Sequence, residues 1–217
     1  EKRGIRIIGT NHFMPENLLD FAVIPKWVHN FAVRLAWAAA ARTFGRAEAV
    51  TTPTRKAADF LEEYTHLTDV HAISCGIDAH RYTPTFNPDG ENRIVFGRVT
   101  GEKKIDVLIR AMKLIPADLK ATLEIVGGGD LLAHHKSLVQ QLGLRDKVTF
   151  TGYVTDEQLN SSLARAKVFA MPSIAELQSI ATMEAMATAL PVVGANAMAL
   201  PHLIHDGENG FLFEPGN

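Results

Sequence analysis

Two glutamates, Glu176 and Glu184, stand in the apolar stretch AELQSIATMEAMATALPVV with seven residues between them. A carboxylate buried without a partner costs several kcal/mol, so each must be solvated, paired or in use. If a helix begins near Gln178 or Ser179, Glu176 precedes it and Glu184 lies about two turns along. The backbone N–H groups of Gln178, Ser179 and Ile180 would then be unpaired donors at a helix N-terminus, an anion site with roughly half a positive charge behind it. The ordinary alternative makes Glu176 a helix-start residue and Glu184 the partner of a backbone amide or an arginine. The chemical alternative needs an anion with hydroxyls on both sides, which describes a nucleoside diphosphate sugar.

Such a site needs a scaffold that brings distant residues to one point. Apolar, strand-like runs occur at RIIGT, AEAVTTP, VHAIS, RIVFGRV, ATLEIVG, KVTFTG, KVFAMPS, LPVVGA and GFLF. Helix-like segments separate many of them: IPKWVHNFAVRLAWAAAARTF, TRKAADFLEEYT, KIDVLIRAMKLI, DLLAHHKSLVQQLG, TDEQLNSSLARA and SIATMEAMATA. Continuous apolar strands followed by helices predict an α/β fold with parallel sheets covered on both faces. The stretch CGIDAHRYTPTFNPDGEN, residues 75–92, breaks the alternation and reads as a domain boundary. We expect part of one domain in residues 1–78 and most of a second in residues 79–217. The chain opens on one strand and closes just past another, so both ends read as cut from something longer.

In doubly wound sheets ligands bind at the carboxyl ends of strands. That rule singles out Asn11 and His12 after RIIGT, Arg98 with Lys103 and Lys104 after RIVFG, VGGGD after ATLEI, and Glu176 after KVFAMPS. Each also has an ordinary reading. His12 reads as a hydrogen-bonded loop residue, and Arg98 and Lys103 as solvated charges with Glu102 in the first turn of a helix. VGGGD fails the dinucleotide fingerprint, because its third glycine position is Leu132. The adjacent His134 and His135 point about 100° apart on a helix, a poor metal pair, and read as surface or partly buried residues.

Composition narrows the classes. The 217 residues are 47% hydrophobic and 21% charged with a formal net charge of −2, a globular profile that disfavours a nucleic-acid partner. The single cysteine, Cys75, excludes an internal disulfide and fits a reducing, cytoplasmic setting. No run of 18 or more apolar residues occurs to span a membrane.

The opening stretch resembles the seven-spaced acidic signature of the retaining glycosyltransferases of family 4, whose fold is GT-B. GRVTGEKKIDVLIRAM is similar to that family's Gly-Arg and Glu-Lys-Gly segment, EIVGGGD to its Gly-x-Gly turn, and VTFTGYV to its nucleobase-side strand. HDGENGFLFEPGN is similar to its Asp-Gly-x-Asn-Gly ending and SCGIDAHRYTP to its interdomain linker. The matches run in order along nearly the whole chain. The resemblance implies two Rossmann-like domains, with residues 1–78 the C-terminal part of the acceptor side and 79–217 the donor side lacking its final segment.

It also implies roles. Arg98 and Lys103 match the pair that holds the donor diphosphate, Glu184 the carboxylate on the ribose, and Glu176 the one on the transferred sugar. Gln178, Ser179 and Ile180 match positions whose amides face phosphate or sugar, Val154 the position beside the base, and His12 a histidine near the reacting carbon. The catalytic set expected is therefore His12, Arg98, Lys103 and Glu176. No Asp-x-Asp pair occurs, so the expected chemistry uses no metal and no cofactor, with cations in the metal's place.

The chain also departs from the family. Leu177, Gln178 and Ser179 stand where Gly-Phe-Gly is common, and Lys104 replaces the glycine after the motif lysine. ELQS with TNHFMPEN resembles the branch that includes diacylglycerol glucosyltransferases. This implies transfer of a hexose from a UDP or GDP donor, with retention, to a membrane lipid such as diacylglycerol or phosphatidylinositol. Trp27 and Trp37 among Lys26, Arg34, Arg42 and Arg46 fit an interfacial helix at a membrane surface, and equally a covered crossover helix. The competing readings are a non-catalytic nucleotide-binding module of the same fold, a transferase with a polysaccharide acceptor, and an epimerase-like or phosphorylase-like enzyme.

Overall fold

The computed structural model describes residues 5–14, 25–84 and 92–216, apart from the side chains of Lys26 and Asn92. The PEN that follows Met14, the first residue of the first helix-like segment, and residues 85–91 of the boundary stretch lie outside the described residues. The chain divides into two compact units, Glu1–Gly76 and Ile77–Asn217.

In the first unit β1 (Ile8–Thr10), β2 (Ala49–Thr52) and β3 (His71–Ala72) form a parallel sheet in that order, joined by α1 (Lys26–Phe44) and α2 (Arg55–Thr65). The hydroxyl of Thr54 caps α2 by accepting the Ala57 N–H at 3.2 Å. Helical spacing then turns Ala57, Ala58, Leu61 and Thr65 inward. The core gathers Ala58 and Leu61 with Val50, Val70 and Trp37, and the Trp37 ring stacks on Tyr64 at 5.1 Å. Trp27, on the same helix, is 75% exposed. The two tryptophans therefore do not share an interfacial face, since Trp37 is held in the core while Trp27 is open to solvent.

The second unit is a six-stranded parallel sheet, built from β4 (Asn92–Phe96), β5 (Thr122–Val126), β6 (Val148–Gly152), β7 (Ala166–Met171), β8 (Val192–Ala195) and β9 (Gly210–Phe213). Its helices are α3 (Ile105–Ala111), α4 (Leu132–Gln141), α5 (Asp156–Arg165), α6 (Ile180–Ala187) and the short α7 (Leu200–Leu203). Period-2 alternation splits the apolar runs between two cores. Ile94, Phe96 and Val126 pack on one face, and Val95, Leu123 and Ile125 on the other.

The strand order is β6-β5-β4-β7-β8-β9. The chain therefore winds outward from β4 through β5 to β6, then returns to lay β7 beside β4 and winds the other way. Ile94 pairs with Phe169 across this reversal. Loops leaving adjacent strands at such a switch point diverge, and the crevice between them is where open α/β sheets bind ligands.

Candidate functional site

The loops after β4 and β7 meet at the switch point. Beyond β4 the chain passes Gly97 at φ 135°, a conformation that favours glycine. The Gly97 N–H donates to Val126 O at 3.0 Å and the Val99 N–H to Gly128 O at 2.9 Å, which ties this loop to the one after β5. A Cβ on Gly127 would overlap the Gly97 carbonyl, and one on Gly129 would lie 2.5 Å from the Val99 carbonyl oxygen. The glycines of VGGGD thus serve close loop packing.

Next comes a 3-10 turn, Gly101–Lys103. Glu102 is buried in the first turn of this 3-10 helix and not of α3, which begins only at Ile105 after Lys104 has taken φ 49°. Glu102 Oε1 accepts the Thr100 hydroxyl at 2.7 Å and stands 3.8 Å from Arg98 Nη2. Its Oε2 is buried with no hydrogen-bond partner among the described residues. The Arg98 side chain itself is 79% exposed.

From the other side, the Ile174 N–H beyond β7 donates to Glu102 O at 3.1 Å and joins the two loops. Two residues on, Glu176 Oε1 accepts from Lys103 Nζ at 2.6 Å. The Lys103 and Glu176 side chains are only 16% and 10% exposed, so Lys103 is not a solvated surface charge. The Glu176 carbonyl accepts the Ala199 N–H at 3.0 Å, which fixes the backbone under the carboxylate.

Ser179, at φ 65°, is the residue from which α6 starts, and its hydroxyl lies 2.8 Å from that of Thr182. Gln178 and Ser179 are buried, while Ile180 is 37% exposed. Glu184 lies on α6 roughly one turn beyond Ile180. Its Oε1 accepts the Tyr82 hydroxyl at 2.6 Å.

Val154 follows β6 and lines a cleft of about 410 Å³ together with Glu124, Thr151, Tyr153 and Arg165. Neither Lys103 nor Glu176 nor Glu184 lines that cleft. The Glu124 carboxylate at its wall accepts the Ser162 hydroxyl at 2.6 Å and lies 3.5 Å from Arg165 Nη2.

His12 belongs to the first unit, exposed just beyond the carboxyl end of β1. Asn11 beneath it is buried, accepts the Phe13 N–H on its side chain at 3.2 Å, and takes the Thr52 hydroxyl on its carbonyl at 3.2 Å. The His12 Nδ1 stands 3.9 Å from Cys75 Sγ.

The second unit thus brings Lys103 into contact with Glu176 and sets Glu184 on the helix that follows. Arg98 lies near Glu102, which sequence reasoning read only as a helix-start charge, and Glu184 reaches Tyr82, which it did not single out. Among the described residues no group of three or more His, Cys, Asp or Glu side chains could hold a metal ion.

The chain is similar to known glycosyltransferases. The family model for glycosyl transferases group 1 matches residues 78–217, and that for glycosyltransferase family 4 matches residues 1–81. An uncharacterised glycosyltransferase of Methanocaldococcus jannaschii is 39% identical over 130 residues, 59% of this chain and 33% of that protein. The sulfoquinovosyl transferase SQD2 of Arabidopsis thaliana is 31% identical over 65% of this chain and 29% of its own length. A GDP-mannose-dependent phosphatidylinositol monomannoside mannosyltransferase of Mycobacterium tuberculosis is 30% identical over 64% of this chain and 41% of that one. The chain spans roughly a third of the length of such relatives. Among solved structures, Anabaena HepE in complex with UDP-glucose superposes with a TM-score of 0.80 at 22% identity, over 98% of this chain and 59% of that one. The fold is GT-B, with Rossmann-like parallel sheets.

Proposed function

The chain belongs to the glycosyl transferases group 1 family, and from that membership we propose that it is part of a glycosyltransferase that moves a hexose from a nucleoside diphosphate to an acceptor hydroxyl, with residues 79–217 forming its donor side. The observation that carries this reading is the Lys103–Glu176 contact of 2.6 Å at the switch point. A cation and a carboxylate held together with little exposure to solvent, the carboxylate a few residues before the start of α6, offer complementary partners to a diphosphate and to sugar hydroxyls.

The chemistry follows from charge. As the bond from the anomeric carbon to the diphosphate oxygen breaks, negative charge grows on the leaving group and the sugar becomes cation-like. Lys103, Arg98 and the N–H groups at the start of α6 stabilise the departing diphosphate more than the intact donor, without need of a metal. Glu176 holds hydroxyls of the sugar, Glu184 the ribose, and the backbone at Val154 the base, with Gln178, Ser179 and Ile180 lining the path between them. The acceptor oxygen bonds to the anomeric carbon from the side the diphosphate leaves, and its proton passes to a diphosphate oxygen, so configuration is retained. His12 takes, by its match to the family's histidine, the role of the residue beside the reacting carbon.

The acceptor we propose is a membrane lipid. Support comes from the phosphatidylinositol monomannoside mannosyltransferase among the relatives and from α1. On that helix Trp27, Phe31 and Leu35 are 75%, 61% and 55% exposed at a spacing of four, which makes one apolar stripe with the exposed Arg34 and Arg42 near it. The contact we propose is peripheral and made through this stripe; no helix among the described residues is long and apolar enough to cross a membrane.

The test is transfer by the full-length protein from UDP-glucose and from GDP-mannose to diacylglycerol and to phosphatidylinositol in vesicles, with EDTA present. The proposal expects one donor to yield a lipid-linked sugar whose one-bond anomeric carbon–proton coupling shows the same configuration as the donor. A glycoside of inverted configuration, or activity that disappears with EDTA and returns with a divalent cation, would refute the mechanism. Absence of transfer from either donor would refute the lipid assignment.

A further inference from the structure

The proposed donor carboxylate Glu184 already has a partner, and that partner is held from elsewhere. Asp78 Oδ1 accepts the His80 N–H at 3.1 Å and starts the 3-10 turn Ala79–Arg81, which closes when the Tyr82 N–H donates to Ala79 O at 3.2 Å. Arg81 pairs with Asp156 at the start of α5, and Asn160 Nδ2 on the same helix donates to the Arg81 carbonyl at 3.4 Å. The backbone entering Tyr82 is thereby pinned to α5. Tyr82 packs against the core cluster on the Ile94 face of the sheet, while its hydroxyl reaches α6 and donates to Glu184 Oε1 at 2.6 Å.

A phenylalanine ring would satisfy the core equally, so the hydroxyl is what addresses Glu184. The terminal torsion of a glutamate is broad, and a free carboxylate samples many orientations. A hydrogen bond this short to a carboxylate is of the strong, charge-assisted kind and fixes that torsion. Burial, and then the bond to Glu184, push the Tyr82 hydroxyl's pKa well above that of an ordinary tyrosine, so it remains a donor throughout the neutral range.

We propose that Tyr82 is a positioning residue for the donor: by occupying Glu184 Oε1 it turns Oε2 toward the two ribose hydroxyls of the nucleoside diphosphate. The inference rests on the reading of Glu184 as the ribose carboxylate. It makes ribose recognition depend on the segment that leads into the second unit, a residue with no contact of its own to the nucleotide.

The experiment is calorimetric titration of the full-length protein with UDP and GDP and with their 2′,3′-dideoxy forms, for wild type, Tyr82→Phe and Glu184→Gln. The expected result is a preference of about tenfold or more for the ribose form of one nucleotide in wild type, as befits hydrogen bonds to a charged group. In Tyr82→Phe the preference should shrink to roughly threefold or less, with dideoxy binding unchanged and thermal melting within about 2 °C of wild type. Equal weakening of both forms, or a full preference retained in Tyr82→Phe but lost in Glu184→Gln, would show that the hydroxyl serves structure only and overturn the role of Tyr82. A wild type indifferent to the ribose hydroxyls, or a preference that survives Glu184→Gln, would overturn the assignment of Glu184 and the proposal with it.

Discussion

Lys103 and Glu176 meet at 2.6 Å although 73 residues separate them in sequence, and each is nearly buried. Removing one member of a buried pair leaves the other charge without compensation. Lys103→Ala should therefore destabilise the second unit by roughly 3–5 kcal/mol, and the double variant Lys103→Ala with Glu176→Gln should recover much of that loss. Urea denaturation of the four members of the cycle measures the coupling. Additive losses would mean that the two groups do not sense one another.

Arg98 behaves differently. Its side chain is 79% exposed and 3.8 Å from the nearest Glu102 oxygen, a geometry worth at most about 0.5 kcal/mol once solvent screening is allowed for. Arg98→Ala should leave the melting curve in place while it lowers sugar transfer by at least about 100-fold, the usual loss when a transition-state charge partner is removed. A variant that melts early and transfers normally would reverse this assignment.

Lys104 adopts φ 49°, a left-handed conformation that a side chain enters at a cost of about 1 kcal/mol. It stands where the family resemblance leads one to expect glycine, so Lys104→Gly should stabilise the protein by several tenths to roughly 1 kcal/mol. A shift of the denaturation midpoint to lower urea would show that the lysine side chain earns its place by contacts that outweigh the backbone cost.

His135 lies inside the helical face formed with Leu138 and Val139, 2% exposed, and neither ring nitrogen has a partner among the described residues. Burial lowers its pKa most; Asp106 opposes the shift and His134 adds to it. The unfolded chain then binds a proton more readily than the folded one below the ordinary histidine value of about 6.5. Stability is complete above that value and falls as pH drops toward the lowered folded pKa. His135→Leu should flatten the decline in melting temperature between about pH 7.5 and 5.5. An unchanged slope would place the acid sensitivity at another group.

Much of the fold was legible because each strand of the parallel sheets is a short apolar run and each major helix has its own period. All nine strand-like runs and all six helix-like segments appear among the described elements. Missed was α7, whose four residues Leu-Pro-His-Leu are too few to show a period. Phase within a helix was harder. Adjacent histidines look alike in sequence, yet only His135 turns inward, and Trp37 enters the core while Trp27 does not. In the site, glutamates amid apolar residues and cations after a strand announced themselves by being costly there. Tyr82 gave no such signal, since it sits in a polar, proline-bearing boundary and meets Glu184 only across 102 residues of sequence. Glu102 looked like a helix-start charge, and only the 3-10 turn shows that it is buried beside Arg98.

The central claim, a donor site at the switch point that works without a metal, is tested most directly by saturation-transfer NMR of the full-length protein with UDP, GDP and their sugar conjugates, with and without EDTA. The account predicts that one nucleotide binds equally well in both conditions and that Arg98→Ala, still folded, weakens it by about tenfold or more. Binding that needs a divalent cation, or that Arg98→Ala leaves untouched, would contradict it.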